Sequence, residues 1–193
     1  MNQLELLQNL GHTKQAKLLG TAIGDMNGSK YEWWSIKSRD FEICGKSSRV
    51  TDDTVMTCAV AEALLCTLSE IKRPHAASFD TLLHRNTCEM MRRWGTKYPH
   101  AGYGGRFRHW LRADPSDTTF PTDGAAIPIG PVVFLSQTEE QVRHWSRIIT
   151  ATTHNSVEGI KDAEATALAV FHLRHGMPKD QLRKLIEENY YPL

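Results

Sequence analysis

Thr51-Asp52-Asp53-Thr54-Val55-Met56-Thr57-Cys58-Ala59-Val60-Ala61-Glu62-Ala63-Leu64 is the stretch that decides the fold. Val55, Met56, Ala59, Val60, Ala63 and Leu64 recur at the i, i+4 spacing of a buried helical stripe, so a helix is expected from Asp52 to about Leu68. Its first residues support two readings. Thr51 suits an N-cap, and two acids in the first turn favour the positive end of the helix dipole. The same four side chains are also a compact set of hard oxygen donors. Such a set fits Mg²⁺, Mn²⁺ or Ca²⁺ and fits zinc or copper poorly.

Outward from this helix the pattern stays helical. Thr13 to Met26 is expected as a helix with Ala16, Leu19, Ala22 and Ile23 on one face, followed by a long polar loop from Asn27 to Val50. Long loops in compact domains are often functional. Arg73-Pro74 ends the central helical region. Ser78 to Tyr98 reads as a helix with Leu82, Leu83, Met90, Met91 and Trp94 inward. Pro99 to Gly105 is a glycine- and aromatic-rich loop, and Arg106 to Arg112 a short helix. Ala113 to Gly124 is another loop. Ala125 to Leu135 is apolar, but Pro128 and Pro131 bar a long helix there. Thr138-Glu139-Glu140-Gln141 fits a capping box opening a helix to about Thr152. Glu158 to His175 is an Ala-rich helix with Ala163, Ala167 and Val170 along one side. Met177-Pro178 breaks it, and Lys179 to Asn189 is the last helix. No repeat and no β alternation is present. The expected fold is all-α, a compact helical bundle forming a single domain over residues 1–193.

Totals narrow the function classes. Lys plus Arg number 23 and Asp plus Glu 22, a net charge of +1, so no global field draws the chain to nucleic acid or a membrane. The four cysteines form no C-x-x-C pair, which argues against zinc; Cys58 and Cys66 are expected as small core residues. No run approaches a membrane span and no secretory leader is evident, so a cytoplasmic protein is expected.

Three loop–helix junctions stand out: Gly24-Asp25-x-x-Gly28 with Glu32 beyond, Thr51-Asp52-Asp53-Thr54, and Thr153-His154-Asn155 before Glu158-Gly159. Together with Tyr98-Pro99-His100-Ala101-Gly102-Tyr103-Gly104-Gly105 they give the chain a resemblance to the ADP-ribosylglycohydrolases, including the group that reactivates ADP-ribosylated dinitrogenase reductase. The blocks keep order and spacing from about Gly20 onward. The resemblance implies an all-α fold of that family's type. It implies two Mg²⁺ ions, or Mn²⁺, in a cleft, and cleavage of the bond between the C1″ carbon of ADP-ribose and a protein side chain or small acceptor. Thr51, Asp52 and Asp53 match the family's first metal motif. Glu32 falls near an acidic residue beside the metals, which makes Asp52, Asp53 and Glu32 the catalytic candidates. Asp25 either caps its helix or orients a ligand. Asp123 and Gly124 correspond to the diphosphate-binding segment, and His154 and Asn155 to a His-Asn pair beside the substrate.

The departures are as specific as the matches. The family's second Asp-x-Asp motif does not occur, so the fold is expected to be C-terminally shortened and the two metals fewer or more weakly held. Asp123 stands where the family has Asn, and Pro128 where it has Arg. Three readings follow. The first is an Mg²⁺-dependent hydrolase that removes ADP-ribose from a modified protein. The second is a catalytically impaired member acting as a binding or immunity protein for ADP-ribose or an ADP-ribosylated protein. The third is a fragment whose site is completed by a homo-oligomer or a complementing chain.

Overall fold

A computed structural model describes residues 18–72, 77–113 and 129–191. Among the described residues there are eight helices and no strand: α1 (Leu19–Gly28), α2 (Asp52–Glu70), α3 (Phe79–Lys97), α4 (Gly105–Arg112), α5 (Gly130–Leu135), α6 (Glu139–Ala151), α7 (Val157–Arg174) and α8 (Lys179–Asn189). Arg73-Pro74, Asp123-Gly124, Pro128 and the start of the first expected helix lie outside the described residues. None of the described helices is long and apolar enough to cross a membrane.

Helix α2 is the spine. All six residues of its expected stripe are buried, and they meet Leu83, Met90 and Met91 of α3, Val132 and Val133 of α5, and Ala163, Ala167 and Leu168 of α7 in one core. Burying each large aliphatic side chain contributes about 1.5–3 kcal/mol. Helices α2 and α3 form the most extensive pair, α6 and α7 the second, and the short α5 touches α2, α6 and α7. Polar residues between α2 and α3 are satisfied across the interface. Buried Asn86 donates to Thr67 Oγ1 at 3.1 Å and to Glu70 at 3.3 Å, and Arg85 pairs with Glu70.

Helix ends follow local chemistry. Thr51, Ser78, Thr138 and Ser156 each cap a helix by accepting a backbone N–H. The expected capping box at Thr138 is half formed: Thr138 Oγ1 accepts from Gln141 N–H, while the Gln141 amide reaches back to Gln137 N–H instead of Thr138 N–H. Helix α7 stops at Gly176, φ 85°, with Met177 N–H donating to His172 C=O and Gly176 N–H to Leu173 C=O. This is a Schellman stop, and only glycine takes that backbone without strain.

Some expectations are corrected. Leu19, assigned to the inner face of the first helix, is 37% exposed, and α1 buries no residue fully. Its role is to present polar groups to the start of α2, as shown below. Val170 is on the outer side of α7, because Leu168 and Phe171 complete the core face. Cys58 and Cys66 sit at the margin of the core and not in it, being only partly covered.

One buried carboxylate ties three helices together. Glu164 on α7 accepts from Arg143 at 2.8 Å, from Arg147 on α6, and from the Tyr190 hydroxyl at the end of α8 at 2.5 Å. Burial alone would raise its pKa, but the bonds from Arg147, Tyr190 and Arg143 outweigh that and hold it below the usual carboxylate range. A depressed folded-state pKa gives stability present at neutral pH and lost as pH falls through the acidic range. Glu164→Ala is expected to lower stability at pH 7 by about 2 kcal/mol, since it removes the buried acceptor that Arg143, Arg147 and the Tyr190 hydroxyl share, while Arg143 keeps its pairing with Glu139. In urea melts the deficit should narrow at pH 3; an equal deficit at both pH values would show that only volume was lost.

Candidate active site

The site is built where α1 meets the start of α2. Asp25 lies in the last turn before Gly28 and sends its carboxylate across to the next helix. It accepts four hydrogen bonds there: Thr51 N–H at 2.9 Å, Thr51 Oγ1 at 2.5 Å, Thr54 N–H at 3.3 Å, and Thr54 Oγ1. The N-terminal N–H groups of a helix have no partners within it, so an anion here stabilises the helix start. Asp25 therefore does more than end its own helix: it fixes the two threonines that flank the acid pair.

Thr51 is the N-cap, and its hydroxyl also accepts from Asp53 N–H at 3.4 Å. A hydroxyl has one proton and two lone pairs. The proton goes to Asp25 and one lone pair to Asp53, leaving one lone pair free. The capping and ligand readings of this segment are thus compatible, with Asp25 orienting the hydroxyl much as an outer carboxylate orients a metal ligand.

Asp52 is half-buried and Asp53 lies exposed in the first turn of α2. The Asp52 carboxyl is pushed up to about 6, first by burial, then by Asp53, with Glu32 and Asp25 adding to it. Asp53 is raised by burial, then by Asp25 and Glu32. Asp25, Glu32 and Asp53 thus all act on Asp52, and among the described residues the cation that pairs with any of these acids is Arg49, 3.8 Å from Glu32. Among the described residues no three His, Cys, Asp or Glu side chains form a ready metal cage. The donor set nonetheless suits a hard cation: two carboxylates under mutual repulsion and an oriented hydroxyl.

The loop from Pro99 to Gly104 backs this cluster. Gly102 has φ 111°, and a Cβ there would stand 3.4 Å from Asp52 Oδ1. The next residue, Tyr103, is 2% exposed, and its hydroxyl has no hydrogen-bond partner among the described residues. Burial, with Asp52 assisting, pushes the phenol up to about 12. A buried orphan hydroxyl next to a carboxylate cluster is a group with bonding capacity to spare. Beside it a cleft of about 640 Å³ is lined by Val50, Thr54, Cys58, Trp94, Tyr98 and His100.

The structure therefore brings Asp25, Glu32, Thr51, Asp52, Asp53 and Tyr103 together. His154 keeps local partners: its backbone N–H donates to Thr150 C=O at 2.7 Å and its Nδ1 lies 2.9 Å from Thr153 Oγ1. Burial lowers its pKa, so the ring is neutral at pH 7. Asn155 is exposed beside it. Asp123 and Gly124 lie outside the described residues. The importance of Asp25 was signalled by its place between Gly24 and Gly28; nothing in the spacing signalled that the Tyr103 hydroxyl would be buried alone.

The profile of the ADP-ribosylglycohydrolase family matches residues 15–191, and the chain belongs to that family. The family's general chemistry is cleavage of glycosidic linkages to ADP-ribose. No individual curated protein matches the chain in sequence.

Two measurements test the electrostatics. A carboxyl raised in the folded state binds protons more tightly there than when unfolded, so its contribution to stability falls as pH rises from about 4 through about 6. In EDTA, Asp52→Asn should therefore raise stability at pH 7.5, by roughly 1 kcal/mol after solvent screening, and change it little at pH 4. Asp25→Ala should lower stability by about 2 kcal/mol at pH 7.5, because four donors at the start of α2 lose their acceptor. Thermal melts of both variants across this range provide the check.

Proposed function

We propose that this chain is a divalent-cation-dependent hydrolase that removes ADP-ribose from a modified protein side chain or small acceptor, with Mg²⁺ as the cation and Mn²⁺ as its substitute. The observation that carries the reading is the Asp52–Asp53 pair at the start of α2, with Asp52 held up first by burial and then by Asp53, and with no ion pair to either acid among the described residues.

Asp52, Asp53 and the remaining lone pair of Thr51 would hold the cation, which would supply positive charge to position ribose hydroxyls and acidify a neighbouring water. Positive charge builds at C1″ as the glycosidic bond stretches, and the carboxylates of Asp52 and Asp53 stabilise it. Water adds to C1″ and gives one proton to the Glu32 carboxylate. The C1″–acceptor bond breaks, its electron pair leaves on the acceptor atom, and that atom takes a proton from solvent. The neutral His154 ring and Asn155 offer uncharged hydrogen bonds to the sugar, and Asp123 and Gly124 correspond in sequence to the family segment that would meet the diphosphate.

Hydrolysis of an ADP-ribosylated protein, followed as free ADP-ribose with Mg²⁺ and with EDTA, tests this. Release only with Mg²⁺ is expected. Tight binding of ADP-ribose without turnover would instead make the chain a binding protein. Asp52→Asn and Asp53→Asn should each remove at least ~2 kcal/mol of transition-state stabilisation and weaken Mg²⁺ binding. Glu32→Gln should lower kcat about 100-fold while leaving Mg²⁺ affinity near wild type. Because cation binding needs Asp52 ionised, calorimetric Mg²⁺ affinity should drop as pH falls below about 6.

A further inference from the structure

The segment between Ser29 and Arg49 is a closed loop with its own internal order. Ser29 Oγ accepts from Arg49 N–H at 3.0 Å and donates to Met26 C=O at 2.8 Å, which pins the two ends together. Asn27 Oδ1 accepts from Cys44 N–H at 2.6 Å, and Lys30 Nζ donates to Glu42 C=O at 2.8 Å. Tyr31 and Phe41 meet edge to face, 5.9 Å between centroids. With its base and interior tied, the loop turns two indoles outward: Trp33 is 78% exposed and Trp34 82%, with Ile36 and Phe41 exposed near them in the chain. Exposed apolar groups standing together mark interaction sites, and tryptophan is the residue most enriched in binding hot spots.

The position of these indoles matters as much as their exposure. Trp33 directly follows Glu32, whose charge acts on both Asp52 and Asp53, and the loop runs straight into Thr51. A macromolecule that delivers a modified side chain to the acids would meet a loop whose Glu32 already acts on them. The loop's charges say what kind of macromolecule. Lys30 pairs with Glu42 and Arg49 with Glu32, while Lys37, Arg39 and Lys46 form no ion pair among the described residues. Two large apolar faces flanked by uncompensated cations complement an acidic, partly apolar surface. Nucleic acid fits less well: Glu32, Asp40 and Glu42 interrupt the basic residues, and the whole chain carries only +1.

We infer that the Trp33–Trp34 loop is the docking surface for the protein that carries the ADP-ribose, and that it selects an acidic segment next to the modified side chain. This rests on the hydrolase reading above, so the test separates the two. Three synthetic 15-residue peptides, acidic, neutral and basic around one ADP-ribosylated side chain, are compared with a small ADP-ribosylated acceptor of the same linkage. Wild-type protein is expected to bind the acidic peptide at least 10-fold more tightly than the basic one, with a blue shift of tryptophan emission. Trp33→Ala/Trp34→Ala and Lys37→Glu/Arg39→Glu should abolish that preference and raise KM for the acidic peptide, with kcat/KM for the small acceptor unchanged. No turnover of the small acceptor by wild type overturns the hydrolase reading, while the binding preference still tests the docking surface. Equal affinity for acidic and basic peptides overturns the docking inference, as does a tryptophan variant that handles acidic peptides like wild type. Binding of an unmodified single-stranded oligonucleotide, or of anionic vesicles, in preference to the acidic peptide would also overturn it.

Discussion

One carboxylate sets the geometry on which the rest of the site depends. Asp25 satisfies two backbone N–H groups and two hydroxyls at the start of α2, so the helix begins where Thr51 stands and nowhere else. That fixes the direction in which Asp52 leaves the helix, toward Gly102 and Tyr103. It also places a third negative charge behind the acid pair. A helix start alone would tolerate one or two acids; four acids, with Arg49 pairing Glu32 as their ion pair among the described residues, are more than a cap requires. The excess repulsion is a standing electrostatic debt that a bound cation would relieve.

The core makes this strain tolerable. Directly after the acids, Val55, Met56, Ala59 and Val60 enter an apolar cluster shared by α2, α3, α5 and α7. The start of α2 cannot retreat from the repulsion without withdrawing those side chains. Asn86, Thr67 and Glu70 clamp the far end of the same helix, and Glu164 holds α6, α7 and the end of α8 as a second unit. Rigid helix packing thus supports a site whose local charges oppose it.

The fold was largely legible in the chain because helical periodicity carries it. The α2 stripe, the α3 stripe and the polar Asn27–Val50 loop appear as their spacing demands. Misreadings fall where periodicity is blind. Leu19 and Val170 fit a stripe but have no partner to cover them, since a stripe gives a direction and not a neighbour. Asp52 and Asp53 stand out by residue type alone, and the structure places both in the first turn of α2. The bracing by Asp25 was only half legible, because it spans 26 residues of sequence and depends on how α1 meets α2. Tyr103 was legible as part of a motif, and its buried hydroxyl was not. The Trp33–Trp34 pair lay in plain view within a segment notable chiefly for its polarity.

The tie between Ser29 and Arg49 has a consequence for how such a chain changes over generations. Because the loop closes on itself at its base, residues beyond Glu32 and short of Arg49 can vary in length and chemistry with little effect on where α2 begins. Glu32 lies inside the tie as well, so a loop that drifts at its tip still has to hold that carboxylate beside Asp52 and Asp53.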